Sequence, residues 1–212
     1  MAENQTKKKI KEIAIELFRE KGFENVTLGE ICQKSGINKH TFYYYFKSKD
    51  DLLKDFYHFP RDIGMEYFIQ ILNAPNYAEQ LWLSYKPFLD HIIACGIEIQ
   101  RQLFIKNIIH DVGTFQEAPP HIEHIKMQAG IIQKGQEAKE IQNSSDPLVL
   151  CRLMHQIFIS TLLMWCIRNG EFDLRAFTRA SIESMLDIKP ELRAYPDFMP
   201  DEFRFNQKCS QE

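Results

Sequence analysis

Five consecutive aromatic residues, Phe42-Tyr43-Tyr44-Tyr45-Phe46, stand between two basic stretches, Lys39-His40-Thr41 and Lys47-Ser48-Lys49. On a helix turning about 100° per residue, Phe42 and Phe46 form an i, i+4 pair on one face. His40 and Tyr44 then point the opposite way, with Lys39 and Tyr43 on one flank and Thr41 and Tyr45 on the other. Such a helix has two apolar anchors beneath it. Its rim carries hydroxyl, imidazole and ammonium groups, which reach phosphate oxygens and base edges. The run therefore predicts a helix packed through two phenylalanines, with a DNA-contacting surface.

The preceding residues supply its frame. Ile10, Ile13, Ala14, Leu17 and Phe18 follow i, i+3, i+4, i+7, i+8, the pattern of an amphipathic helix. Gly22 fits the left-handed position after its last turn. Thr27 and Glu30 have the spacing of a capping box, with Val26 and Ile31 at the staple positions. The short helix they start, Leu28 to Lys34, stops at Ser35-Gly36, where Gly36 can take the positive φ of a tight turn. Asn38 then caps the aromatic helix. Two short helices joined by a glycine turn, braced by a longer one, make a three-helix helix-turn-helix unit.

Three segments carry a resemblance: Thr27-Leu28-Gly29-Glu30-Ile31, Ser35-Gly36-Ile37-Asn38-Lys39, and the run from Thr41 to Leu53. In order and spacing, residues 8–54 resemble the tetracycline-repressor (TetR) family of regulators. Gly135-Gln136-Glu137 followed by Ser145-Asp146-Pro147 is similar to the end of that family's seventh helix and the cap of its eighth. The resemblance implies a homodimer that binds a double-stranded operator. It implies base-edge or adjacent contacts for Lys39, His40 and Tyr44, and phosphate contacts for Thr41, Tyr43, Tyr45 and Lys49. Thr27 and Lys47 would add backbone contacts. It also implies a second domain that encloses a small-molecule cavity among its middle helices.

Charge distribution agrees with DNA contact confined to one end. Residues 1–54 carry 11 Lys+Arg against 8 Asp+Glu, net +3, within a chain of net charge −3; the remaining residues therefore hold −6. Cys32, Cys95, Cys151, Cys166 and Cys209 include no Cys-x-x-Cys pair, and Lys7-Lys8-Lys9 leads into an amphipathic helix rather than an apolar signal core. A reduced, cytoplasmic protein is expected. The apolar stretch Leu148–Ile167 contains Arg152, His155 and Gln156, which argue against a membrane span. A helix apolar nearly all round is instead buried on two sides, against its own core and against a second subunit.

Ser48 begins a further helix through Leu52, Leu53 and Phe56 towards Pro60, which should kink or break it. Tyr67, Phe68, Ile71 and Leu72 follow, then a loop at Asn73-Ala74-Pro75-Asn76. Helical patterns cover about 77–94, 97–111, 121–140, 146–168 and 173–187, and prolines at 190, 196 and 200 break up the tail. The expected architecture is all-α. A helix-turn-helix head occupies residues 1–54, and a larger helical regulatory and dimerisation domain occupies residues 55–212.

Trp82, Tyr85, Phe88 and His91 recur at helical spacing. Core packing explains such a stripe; so, given the resemblance, does a ligand cavity. Tyr67, Phe104, Met127 and Trp165 complete the candidate ligand-binding set, with Met164 as a further wall and His91 and Tyr85 holding the ligand's polar end. Few charges share these faces, so a small hydrophobic effector is expected. No metal or other cofactor is expected, although His121 and His124 have a spacing able to share an ion. Catalysis finds no phosphate loop, nucleophile elbow or His-Glu-x-x-His helix, and Asp50-Asp51 reads as the acidic start of a helix. Together with the resemblance, the sequence reads as a ligand-responsive, homodimeric transcriptional regulator, and the resemblance implies a repressor. Two alternatives stay open: a constitutive DNA-binding protein of the same fold, and a redox or metal sensor using Cys95, Cys151, Cys166 or the histidines.

Overall fold

A computed structural model describes residues 2–57, 64–111, 114–115 and 119–196. The described residues form ten α-helices and a short 3-10 turn, Pro190–Leu192, without a strand; an isolated bridge pairs Ile141 with Ile188. Pro60, Pro200 and Cys209 lie outside the described residues, so the break expected at Pro60 does too.

The first four helices arise from local signals. Helix α1 (Ala2–Lys21) buries Ile10, Ala14, Leu17 and Phe18 and ends at Gly22, whose φ is 77°. Helix α2 (Leu28–Ser35) opens on the capping box. The Glu30 amide donates to Thr27 Oγ1 at 3.2 Å, and the Thr27 amide donates to Glu30 Oε2 at 2.8 Å. Lys21 Nζ lies 2.7 Å from the other Glu30 oxygen, and this bond with the Thr27 bonds holds the carboxyl at about 2. Gly36, at φ 68°, closes α2. Helix α3 (Lys39–Tyr45) starts where Asn38 Oδ1 accepts the Thr41 amide at 2.7 Å. Helix α4 (Lys49–Asp55) starts where Ser48 Oγ accepts the Asp51 amide at 3.0 Å.

Helices α5 (Met65–Leu72), α6 (Tyr77–Cys95), α7 (Ile97–Ile109), α8 (Pro119–Glu137), α9 (Pro147–Ile167) and α10 (Leu174–Met185) follow, close to the expected boundaries. The chain forms two compact units. One comprises residues 1–63 and 86–118; the other comprises 64–85 and 119–212, so α6 contributes to both.

In the first unit the core is aromatic. Phe18 meets Phe23 at 4.9 Å and Phe56 edge-on at 6.4 Å, while Phe42 and Phe46 lie 5.6 Å apart. Asp55 receives both Lys7 and Lys11, at 3.0 and 2.9 Å, tying α1 to the end of α4. Lys106 of α7 reaches Asp50 at 3.4 Å and Glu24 at 3.6 Å. In the second unit α9 packs between α8 and α10 through Leu150, Met154, Phe158 and Leu162. By length and composition α9 is apolar enough to cross a membrane, yet only one of its faces is buried here. Val149, Leu153, Met164 and Ile167 stay exposed on the other.

Candidate nucleic-acid interface

Helix α3 divides as its sequence period requires. Phe42 is fully buried and Phe46 nearly so, whereas Tyr43 is 55% and Tyr44 67% exposed. Lys39 and His40 are exposed; Thr41 and Tyr45 are half-buried. The rings are ordered against one another, Tyr43 edge-on to Phe42 at 5.9 Å and Tyr44 edge-on to Tyr45 at 4.9 Å. Two buried phenylalanines thus fix the orientation of a polar and aromatic face.

The flanking candidates take three different places. Thr27 is exposed, with its hydroxyl engaged in the capping box through Glu30 Oε2 at 2.9 Å. Thr41 Oγ1 donates to Asn38 Oδ1 at 3.0 Å. Lys47 presents its side chain outward while its amide donates to Asp51 Oδ2 at 3.0 Å. Lys49 differs from the phosphate-facing role expected for it. Its ammonium donates to the Phe23 and Val26 carbonyls at 2.7 and 2.9 Å and lies 4.2 Å from the Phe23 ring centroid. Burial lowers its pKa, with Glu24 and Asp50 opposing that shift. Lys49 therefore fastens the loop before α2.

The candidate ligand residues separate between the two units. In the second, Trp82 and Tyr85 line a cavity of about 20 Å³ with Leu81, Met154, Arg179 and Glu183 among its walls. That volume suits one or two waters and falls far short of a drug-sized pocket of roughly 300–1,000 Å³. The Arg179 guanidinium sits 5.1 Å from the Trp82 ring and binds both Glu79 and Glu183. Tyr85 meets Phe158 edge-on at 5.6 Å. Tyr67 donates its hydroxyl proton to the Ser84 carbonyl at 2.8 Å, and Gln128 donates to Ser84 Oγ at 3.2 Å. Met127 and Trp165 are half-buried and do not line the Trp82 cavity.

Phe88, His91 and Phe104 belong to the first unit. Tyr57 packs edge-on against Phe88 at 5.7 Å and Phe115 at 4.8 Å, and Phe104 stacks on Phe115 at 5.4 Å. His91 bonds the Phe56 carbonyl at 3.0 Å, with Cys95 Sγ 3.7 Å from the same ring nitrogen. Each three-residue step from Trp82 through Tyr85 and Phe88 to His91 falls about 60° short of a full turn, so the stripe winds about halfway round α6 and its two ends serve different cores.

Sequence reasoning missed Arg179, whose partners Glu79 and Glu183 lie on different helices, and Lys7 and Lys11, whose partner is Asp55. Among the described residues no three His, Cys, Asp or Glu side chains are grouped to hold a metal ion; the His121 side chain lies outside that set. Cys32, Cys95, Cys151 and Cys166 are buried and form no disulfide. Burial pushes the Cys95 and Cys151 thiols up to about 12, which disfavours the reactive thiolate.

The profile of bacterial regulatory proteins of the tetR family matches residues 10–56. The HTH-type transcriptional regulator YerO of Bacillus subtilis is 46% identical over 50 residues, 24% of this chain and 17% of that protein. YuxN of the same organism, also an HTH-type transcriptional regulator, is 33% identical over 95 residues, 41% of this chain and 32% of the relative. The matches thus span at most a third of those relatives' length. At the level of fold, the regulator FadR of Bacillus subtilis, solved with stearoyl-CoA, superposes with a TM-score of 0.61 at 19% identity, over 84% of this chain and 96% of its own.

Proposed function

From the premise that this chain belongs to the TetR family of bacterial regulatory proteins, we propose that it binds a palindromic operator as a homodimer and acts as an effector-responsive repressor. The observation that carries this reading is the division of α3, with Phe42 and Phe46 buried and Lys39, His40, Tyr43 and Tyr44 facing outward. The head of residues 1–54 reads DNA, and residues 55–212 regulate and dimerise. Each protomer lays α3 in a major groove, with Lys39, His40 and Tyr44 at base edges and Thr27, Thr41, Tyr43, Tyr45 and Lys47 near the backbone. Half-sites lie roughly 34–36 Å apart or somewhat further. The exposed apolar face of α9, with α10 beside it, supplies a four-helix dimer interface. The protein works in the cytoplasm as a regulator and not as an enzyme.

Effector binding shifts α4, whose start is bound to Lys106 of α7 and whose end is bound to His91 of α6. The coupling is reciprocal: an effector that weakens DNA binding is itself bound more weakly, by the same factor, on the DNA complex. A small hydrophobic effector is favoured by the stearoyl-CoA bound in the FadR neighbour. The constitutive alternative draws on one observation, the small cavity beside Trp82 and Tyr85.

Selection of bound fragments from the host genome tests the first half of the proposal. Enriched palindromes whose binding is lost in Tyr44→Ala support it, and absence of enrichment at low salt sinks it. Thermal shift against apolar compounds tests the second half, because a ligand of the native state raises the unfolding midpoint.

A further inference from the structure

Helix α1 carries four lysines in one turn and a half, and the structure divides them. Lys7 and Lys11 converge on Asp55 at 3.0 and 2.9 Å. Lys8 and Lys9, between them, are exposed and have no ion pair among the described residues. Lys9 is placed where a free cation is informative. A Cβ built on Gly36 would meet Lys9 Nζ at 3.9 Å, closer than any other atom. Gly36 is the turn between α2 and α3, so an ammonium from the first helix hangs over the turn that leads into the recognition helix.

Charge around α1 sharpens the contrast. Further along the helix, Glu16 and Glu20 pair with Lys34 of α2, at 3.3 and 3.9 Å. Those two carboxylates thus share a cation from α2, while Lys9 at the other end of α1 meets no carboxylate among the described residues. A cation held at this turn has the position to meet a phosphate on the strand that α3 faces, without touching a base.

We propose that Lys9 is a DNA-backbone anchor outside the helix-turn-helix, bound to a phosphate through its ammonium, and that the Lys7–Asp55–Lys11 clamp fixes the helix that carries it. The inference rests on the DNA-binding reading above. Its signature is electrostatic: a contact without sequence content contributes equally on every duplex and is lost with salt.

The test uses the full chain and a 30-base-pair duplex of random sequence, with affinity measured by fluorescence anisotropy from 50 to 200 mM salt. Each neutralised phosphate contributes about 0.9 to the slope of log K against log salt. Lys9→Ala should therefore flatten that slope by about 0.9 per bound protomer. Across the fourfold salt range the wild type should then lose about 3.5 times more affinity than the variant for each bound protomer, or about 12 times for a dimer with both heads engaged. Lys9→Arg should restore the slope, and Lys126→Ala, which removes an exposed lysine paired with Glu123, should leave it unchanged. A wild-type protein that binds the duplex together with an unaltered slope in Lys9→Ala overturns the Lys9 assignment and leaves DNA binding intact. Equal flattening by Lys126→Ala overturns it as well, since the effect would then be general charge. A wild type without affinity for the duplex at 50 mM salt overturns the DNA-binding reading itself.

Discussion

His91 Nε2 stands 3.0 Å from the carbonyl oxygen of Phe56, joining the interior of α6 to the residue that ends α4. A carbonyl only accepts, so Nε2 carries the proton and donates. Burial holds the imidazole pKa below its ordinary 6.5, and the Lys11 ammonium adds to the shift; the Phe56 carbonyl and Asp55 oppose both. The unfolded chain thus binds a proton at a higher pH than the folded one does. Stability from this group is full above about pH 6.5 and declines as pH falls from there towards the folded pKa. The unfolding midpoint of the wild type should drop on acidification from pH 7.5 to 5.5, and His91→Gln should flatten that drop. Superimposable pH profiles for the two proteins would remove His91 as the cause.

Phe42 and Tyr44 are two positions apart and should behave as opposites. Phe42→Ala empties a fully buried site and should destabilise the head by about 3–5 kcal/mol. Tyr44→Ala, at a position 67% exposed, should change stability by no more than about 0.5 kcal/mol while weakening operator binding. Denaturant titration and anisotropy on the same samples separate the two effects. A Tyr44 variant with full operator affinity would contradict its place at the interface.

Val149, Leu153, Met164 and Ile167 expose an apolar face along α9, and half-buried Leu163 lies within it. A surface of this kind asks for a covering partner. Light scattering at micromolar concentration should report about twice the protomer mass of 25.0 kDa. Leu163→Arg, which puts an unpaired charge into that face, should return the mass to one protomer. A monomeric wild type would defeat both the interface and the paired half-sites.

Arg179 holds Glu79, Glu183 and the face of Trp82 together. Glu183 is only 6% exposed, and in Arg179→Met its charge would keep the Ala194 amide at 3.1 Å as its remaining described partner. A loss of about 3 kcal/mol is expected, at the lower end for a broken buried pair because Glu79 keeps contact with solvent. In a Trp165→Phe background Trp82 is the only tryptophan, and its emission should shift when Arg179 is replaced. Unchanged emission and unchanged stability together would show that the cluster is loosely held.

What was legible in the sequence was local. Thr27, Asn38 and Ser48 cap helices by bonding amides three residues on, so spacing alone announces them. Phe42 and Phe46 are buried as their i, i+4 separation requires. Lys49 could not be read in the same way. Its carbonyl partners lie 26 and 23 positions earlier, and nothing in a basic aromatic segment tells a lysine fastening a loop from one facing phosphate. The ligand set had the same weakness. Three-residue spacing strings Trp82 and His91 along one stripe, but the stripe winds about halfway round the helix, and long-range packing gives Trp82 to Arg179 and His91 to Phe56. Lys9 became informative only once folding brought its ammonium to Gly36, 27 positions away in the sequence.

The division of α3 has a consequence for descent. Its stability comes from Asn38 at the start and two phenylalanines underneath, while Lys39, His40, Tyr43 and Tyr44 project outward. Substitutions at those four positions should leave folding almost untouched. A duplicated copy of such a gene can therefore drift to a new operator one residue at a time, without passing through an unfolded ancestor. Address and scaffold are inherited separately, and a designer could exchange one while keeping the other.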